Sequence, residues 1–146
     1  MNDKWQVELL GEQDWAAAGV LLESVNLTLE GEARQDTRLW GIRDGETWVG
    51  LVGLSPVGED MLLRSLGVDL AYRQGGLGGQ LTGFAVAQAG SEGAGRIFLL
   101  TTTAAAFFEK YGFRRLERDA VPPAIARHRQ FTSLCPDSAV VMVLER

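Results

Sequence analysis

The sequence of 146 residues contains only one cysteine and one histidine, and it has no long apolar run. A single cysteine cannot form an internal disulfide, and without a Cys/His cluster no structural zinc site is expected. The first residues lack the basic and apolar regions of a secretory signal, and a membrane span needs about 20 apolar residues. We therefore expect a cytoplasmic protein without a metal and without membrane contact.

Basic residues are also few, since 14 lysines and arginines stand against 19 acidic residues, giving a formal net charge of −5. General nucleic-acid binding needs a surplus of Lys and Arg to neutralise phosphates, so no nucleic-acid partner is expected. The charge is uneven, because residues 1–60 carry −8 and residues 61–146 carry +3. An anionic ligand should therefore prefer the second half of the chain.

The apolar content is sufficient for one packed core, with 46% hydrophobic and 23% charged residues. Together with the length, this composition predicts a single globular domain over 1–146 and excludes a disordered or fibrous chain. The hydrophobic pattern predicts an α+β fold built on one mixed sheet. Strands are predicted at 5–10, 37–43, 47–54, 61–68, 96–101, 113–116 and 139–144, and helices at 12–25, 77–90, 104–111 and 124–130.

Connections between these elements also follow from the sequence. Asp44-Gly45 predicts a tight hairpin turn between the second and third strands, and 55–60 is expected to be a turn-rich loop. The strands 61–68 and 96–101 enclose a helix, so they should be parallel with a right-handed crossover.

Four glycines, at positions 75, 76, 78 and 79, crowd the junction between a predicted strand and a predicted helix. Glycines let a ligand approach the backbone closely, and successive N–H groups at a helix N-terminus can bind a pyrophosphate. The Walker pattern is absent because no Lys-Ser/Thr pair follows, and the dinucleotide-binding spacing fails at Leu81. We interpret the cluster as a ligand-binding loop of another kind, with a plain glycine-rich turn as the alternative.

The segment Arg73-Gln74-Gly75-Gly76-Leu77-Gly78 resembles the R-x-x-G-x-G acetyl-CoA loop of the GNAT N-acetyltransferases. The segment from Thr101 to Phe113, with Ala104, Phe107-Phe108 and Gly112 at matching positions, is similar to the second signature of that family. Residues 99–104 and 131–139 look like the arsenic-resistance N-acetyltransferase branch. The acetyltransferase domain of acetylglutamate synthase is a sister likeness.

This resemblance implies the GNAT fold, a mostly antiparallel sheet with a central splayed parallel pair. It also implies transfer of acetyl from acetyl-CoA to the primary amine of a small, amino-acid-like acceptor, in arsenic or toxin resistance. A homodimer is compatible with it. The residues that it assigns to acetyl-CoA are Leu66, Gly67, Val68, Arg73, Gln74, Gly75, Gly76, Gly78, Gly79, Phe107 and Phe108. The backbone N–H of Leu66 is the expected donor to the oxyanion.

Phe108 departs from the family pattern, because many relatives have a tyrosine there that protonates the departing CoA thiolate. Tyr111, three residues further on, is expected to face elsewhere. A thiol with a pKa of about 8.5 can leave without a proton, so turnover is expected nonetheless. The alternative is an acetyl-CoA-binding sensor or regulatory module without turnover.

No clear base for the acceptor amine stands out. Glu30 and Glu32 lie in the loop that commonly closes over the acceptor in this family, and they are candidate bases, with solvated surface carboxylates as the alternative. His128, between two arginines, is a further candidate, with an ordinary surface histidine as the alternative.

The candidate acceptor contacts are Arg64, Thr101 and Thr102. Arg64 stands in an apolar strand, where a buried guanidinium needs an anion, from either an internal carboxylate or a substrate. Thr101 and Thr102 lie at the carboxyl end of a parallel strand, the usual ligand edge of an open sheet. Thr103 is expected to cap the next helix.

Overall fold

A computed structural model describes residues 5–27, 36–128 and 139–145. In this part of the chain a seven-stranded mixed sheet has the order β1-β2-β3-β4-β5-β7-β6. Its strands are β1 (Glu8–Leu9), β2 (Arg38–Asp44), β3 (Thr47–Val57), β4 (Asp60–Val68), β5 (Arg96–Thr101), β6 (Arg114–Leu116) and β7 (Val140–Glu145).

The α-helices are α1 (Trp15–Ser24), α2 (Leu77–Ser91), α3 (Ala105–Glu109) and α4 (Pro123–Ala126). Short 3-10 helices cover Glu12–Asp14, Leu70–Gly75 and Arg118–Ala120. Within the described residues no helix combines the length and apolar character needed to cross a membrane. The expected α+β architecture is confirmed.

Strands β2, β3 and β4 form the antiparallel meander that the sequence predicts. Gly45, with φ 66°, makes the turn between β2 and β3. The expectation of a loop at 55–60 is wrong, because β3 continues to Val57 and β4 begins at Asp60. Ser55 is fully buried and its hydroxyl is hydrogen-bonded to that of Thr37 at 2.6 Å, so a polar segment lies inside the sheet.

Strands β4 and β5 are parallel, as expected from the helix between them. Their pairing is limited to Met61 with Ile97 and Leu62 with Phe98. Beyond Leu62 the two strands separate, while β5 continues to pair with β7 over its full length. This separation confirms the predicted splayed parallel pair.

Helices cover both faces of the sheet. On one face, Leu77, Leu81 and Ala85 of α2 pack in a core that includes Ile97 and Leu99. The opposite face carries two smaller cores. Leu22 of α1 packs there with Leu39 and Leu51, and Ile125 of α4 packs with Leu62 and Phe98.

Candidate active site

The separation of β4 from β5 opens a cavity of about 570 Å³. It is lined by the second half of β4, the start of α2, the C-terminal end of β5, and α3 with the turn that follows it. Residues 25–27, directly after α1, close another side. The cavity therefore lies at the carboxyl ends of the parallel pair, where open sheets bind ligands.

Leu66, Gly67 and Val68 line this cavity beyond the last β4–β5 pair. Gly67 and Val68 pair with β3 on the other side of the strand, opposite Leu51 and Gly50. Their backbone is thus held by β3 and bordered on the β5 side by the cavity. This is the placement expected for backbone groups that bind an extended ligand arm.

The pairing of β3 with β4 shifts its register at this part of the cavity. The shift lies opposite residues 64–67, and Ser65 has φ 59°, a left-handed conformation that is costly for serine. Nothing in the sequence points to this residue, because serine carries no signal for a positive φ.

The loop after β4 is held to the strand that precedes it. The Asp69 carboxylate accepts a hydrogen bond from the Ala71 N–H at 2.9 Å, and Arg73 Nε donates to the Val68 carbonyl at 3.2 Å. The Tyr72 hydroxyl donates to Asp44 at 2.6 Å, and this hydrogen bond raises the pKa of the phenol. Arg73 lines the cavity, so one side chain both ties the loop to β4 and brings positive charge to the site.

Helix α2 begins at this loop with free donors. Gly76, with φ 78°, is the N-cap, and the first helical hydrogen bond runs from the Gln80 N–H to the Gly76 carbonyl at 3.1 Å. The N–H groups of residues 77–79 therefore have no partner within the helix. Gly76, Gly78 and Gly79 line the cavity, whereas Gln74 and Gly75 are exposed and do not.

The space around the four glycines differs between the first pair and the second. A Cβ atom at Gly75 or Gly76 would meet nothing within 4 Å, so these positions are open. A Cβ atom at Gly78 would touch the Phe107 ring at 3.5 Å, and one at Gly79 would overlap the Tyr111 hydroxyl. The contact at Gly78 is an ordinary van der Waals distance, so packing against an aromatic side chain accounts for one glycine, Gly79, that the sequence pattern assigned to ligand binding alone.

Phe107 and Phe108 both line the cavity. Phe108 is only 5% exposed, and its ring lies 5.1 Å from Phe107 and 5.7 Å from Phe113. The expectation that Tyr111 faces elsewhere is wrong, because this side chain also lines the cavity. Helix α3 ends at Glu109, and Gly112 turns the chain with φ 96°, so helical spacing does not apply to Tyr111.

Arg64 is 5% exposed and lines the cavity from β4. It is paired with Gly53 and lies two residues after Leu62, which places its side chain on the sheet face that α1 and α4 cover. The cavity is thus bordered from that face by an arginine. Asn26, which lines it after α1 with φ 65°, was missed, although asparagine is common at such helix ends.

Three threonines line the cavity after β5. The Thr101 hydroxyl oxygen accepts a hydrogen bond from the Ala104 N–H at 2.9 Å. Thr101 thus holds the turn that leads into α3, whose N-cap is Ala104 without a side-chain cap, so the expected capping role of Thr103 is wrong. Thr102 and Thr103 are exposed to the cavity side, so both can contact a ligand.

The candidate bases are not among the described residues that line this cavity. Glu30 and Glu32 lie outside the described residues. His128 Nε2 lies 3.1 Å from an Asp36 carboxylate oxygen, and His128 is not among the lining residues. The described lining contains two arginines, Arg64 and Arg73, and no carboxylate, so the cavity favours anionic ligands. In the described ranges no three His, Cys, Asp or Glu side chains are grouped to hold a metal ion.

Comparison with known proteins identifies the family. A family model described as an acetyltransferase (GNAT) domain matches residues 35–115. The chain belongs to the GNAT acetyltransferase family. This assignment confirms the expected fold and enzyme class, an acetyl-CoA-dependent N-acetyltransferase.

Solved structures show the same GNAT fold. The N-acetylglutamate synthase of Neisseria gonorrhoeae, complexed with coenzyme A and N-acetyl-glutamate, is similar with a TM-score of 0.84 and 15% identity. The match covers 99% of this chain and 36% of the synthase, so the chain spans about a third of that protein. No curated protein sequence matches the chain.

Two further structures match along most of their own length. A GNAT-family acetyltransferase from Staphylococcus aureus Mu50 has a TM-score of 0.78 and 16% identity, and the match covers 97% of this chain and 98% of that one. The PaiA N-acetyltransferase of Thermoplasma acidophilum, complexed with coenzyme A, has a TM-score of 0.71 and 15% identity over 100% of both chains. These matches give the fold, and the arsenic-resistance branch stays a prediction.

Proposed function

We propose that this GNAT domain transfers acetyl from acetyl-CoA to the primary amine of a small acceptor that also carries a carboxylate. The observation behind this proposal is Arg64, an arginine only 5% exposed that borders the cavity. A planar guanidinium in such a place suits a carboxylate, which it can hold through two parallel hydrogen bonds.

The cosubstrate is proposed to lie along β4 and the start of α2. Its pantetheine arm would bind the backbone of Leu66, Gly67 and Val68 in the manner of an added strand. Its pyrophosphate would accept hydrogen bonds from the free N–H groups at residues 76–79. Arg73 supplies positive charge there, and Gln74 and Gly75 border the site from the exposed side of the loop.

The proposed reaction is direct attack of the neutral amine on the thioester carbonyl. The nitrogen forms a bond to the carbonyl carbon, and the Leu66 N–H would stabilise the resulting oxyanion. The carbon–sulfur bond then breaks, the CoA thiolate leaves, and the amine proton passes to a base or to water. Glu30 and Glu32 remain the proposed bases.

The acceptor is proposed to resemble an amino acid. Arg64 would hold the carboxylate, and Thr102 would contact the acceptor from the end of β5. The Neisseria synthase was solved with N-acetyl-glutamate, a ligand that carries carboxylates, which is in line with this class of acceptor. The likeness of residues 99–104 and 131–139 to the arsenic-resistance branch extends the proposal to amino-acid-like toxins.

The test is a screen for release of free CoA thiol from acetyl-CoA over a panel of amines. The panel pairs each amino acid with its decarboxylated amine and includes amine toxins of amino-acid type. We expect thiol release with at least one carboxylated member and much less with its decarboxylated partner. A preference for the decarboxylated members would contradict the proposed acceptor class.

A second candidate, an acetyl-CoA sensor without turnover, is motivated by Phe108, which has no proton to donate. Binding of acetyl-CoA without thiol release from any amine would favour this function over transfer.

A further inference from the structure

Tyr111 is the residue on the cavity whose role the family resemblance leaves open. It lines the cavity, is 37% exposed, and its ring centroid lies 5.1 Å from that of Phe107. Its hydroxyl lies against Gly79, in the space that a Cβ atom would fill. Among the described residues the hydroxyl has no hydrogen-bond partner.

The position of this hydroxyl relates it to the first turn of α2. Gly79 is the third residue of that helix, and the N–H groups of residues 77–79 are free of helical partners. A phenol O–H beside them adds one more donor to the same group of donors. The described residues lining the cavity contribute no carboxylate that could accept from it.

The same position places the hydroxyl apart from the reacting thioester. The oxyanion donor and the arm of the cosubstrate are assigned to Leu66–Val68, where β4 leaves β5. The Tyr111 hydroxyl lies instead on the helix start to which the pyrophosphate is assigned. Phe108, which occupies the position of the usual acid, is packed between Phe107 and Phe113.

We propose that the Tyr111 hydroxyl donates a hydrogen bond to the phosphate-bearing part of acetyl-CoA over the first turn of α2, and does not protonate the departing thiolate. This inference rests on the proposed function. Gly79 has a part in it, because any side chain at that position would displace the phenol. Tyr111 is thus a cosubstrate-binding residue that ties α3 to the phosphate end of the site.

The test compares Tyr111→Phe with the wild type on two thioesters, acetyl-CoA and acetyl-pantetheine, which lacks the phosphates. Phenylalanine keeps the ring and removes only the hydroxyl. We expect the KM for acetyl-CoA to rise about tenfold, as for the loss of one hydrogen bond to a charged group, with kcat within twofold of wild type. With acetyl-pantetheine, kcat/KM should be the same for both proteins.

Two further measurements distinguish a loss of cosubstrate binding from a loss of folding stability. The melting temperature without ligand should be unchanged in Tyr111→Phe, because the described residues give the hydroxyl no hydrogen bond to lose. Tyr111→Leu, which also removes the ring, should lower it. The stabilisation of Tyr111→Phe by free CoA should be smaller than that of wild type.

Several results would overturn the inference. A fall in kcat of a hundredfold with both thioesters would make Tyr111 the general acid. Equal KM values for acetyl-CoA in both proteins would show that the hydroxyl binds nothing. Failure of the proposed function looks different, because then the wild type itself would neither release thiol nor be stabilised by acetyl-CoA.

Discussion

The two ends of the cavity are built from different kinds of groups. The end at α2 offers backbone N–H groups at residues 76–79, whose geometry comes from the start of a helix. The other end, which we assign to the acceptor, offers the Arg64 side chain of β4. Backbone donors recognise any phosphate and suit a cosubstrate shared by a whole family, whereas a side chain selects one acceptor. Substitutions that disturb the backbone at the start of α2 should therefore abolish cosubstrate binding. Substitutions of the Arg64 side chain should instead change which acceptors are used.

Gly76→Asp, at the phosphate end of the cavity, should have the largest effect. Gly76 lines the cavity and a Cβ atom there would meet nothing within 4 Å, so we expect a carboxylate at this position to repel the phosphate. We expect acetyl-CoA to lose its ability to raise the melting temperature. Thermal denaturation with and without acetyl-CoA measures this directly.

The control for strain is Gly93→Asp, just beyond the opposite end of the same helix. Gly93 has φ 85° and a Cβ there also meets nothing within 4 Å. Both variants carry the cost of a left-handed backbone, about 1 kcal/mol. Only Gly76→Asp should lose the response to acetyl-CoA. If the two variants respond alike, the phosphate does not bind at residue 76.

Arg64→Lys tests the other end of the cavity. Lysine keeps the charge and loses the planar fork, so the KM for a carboxylated acceptor should rise about tenfold. The affinity for acetyl-CoA should stay nearly constant, and a decarboxylated acceptor should be almost indifferent to the change. Steady-state kinetics with a matched acceptor pair checks both statements.

Two results at Arg64 would contradict the view that this end of the cavity selects the acceptor. If Arg64→Ala fails to fold, or if Arg64→Lys weakens carboxylated and decarboxylated acceptors alike, the arginine holds the structure rather than the acceptor.

Phe108→Tyr should have a smaller effect, because the proposed mechanism needs no acid at this position. The side chain borders the cavity, so a hydroxyl added there can reach it. We expect kcat to be kept or to rise a few-fold. The pH dependence of kcat for both proteins is the measurement. A fall of tenfold or more would mean that the aromatic packing of Phe108, and not its missing proton, sets the rate.

The smallest effect is expected from Glu92→Gln, at the C-terminal end of α2, away from both ends of the cavity. Arg38 donates two hydrogen bonds to Glu92, at 2.9 and 2.7 Å, and they lower the pKa of its carboxyl. A lowered folded pKa gives stability that is present at neutral pH and lost as the pH falls through that pKa. The pair is partly exposed, so the variant should lose only about 0.5 kcal/mol at pH 7.

Denaturant unfolding between pH 3 and pH 7 measures this loss, which should shrink toward pH 3. Both KM values of Glu92→Gln should match wild type. A changed KM would show that a loss of stability is enough to change substrate binding. The KM changes of the variants at the two ends of the cavity would then have to be corrected for their own losses of stability.

The fold could be predicted from the sequence because its signals are local. A short apolar run identifies β5, a helical pattern identifies α2, and Asp44-Gly45 identifies a turn. The error at 55–60 has a physical reason. Ser55 and Pro56 favour turns locally, but the hydroxyl of Ser55 finds a buried partner in Thr37, which only the folded sheet supplies.

The site was less predictable, because its parts meet only in three dimensions. The glycine motif identifies the helix start, but not that Phe107 and Tyr111 pack on two of its glycines. The positive φ of Ser65 arises from the register of β3 against β4, which no single residue encodes. Likewise, Thr103 does not cap α3, because the chain bends at residues 102–103 and returns the Ala104 N–H to the Thr101 hydroxyl at the end of β5.

The short pairing of β4 with β5 leaves an unfilled sheet edge in the interior of the domain. An exposed edge of this kind on a protein surface recruits strands of other chains and leads to aggregation. Here β3 and β5 flank the gap, and helices cover both faces of the sheet, so a slender ligand arm can complete the ladder and a folded strand cannot. The amide hydrogens of residues 66–68 that point into the gap, and not those that point to β3, should therefore exchange with solvent slowly only while that arm is in place.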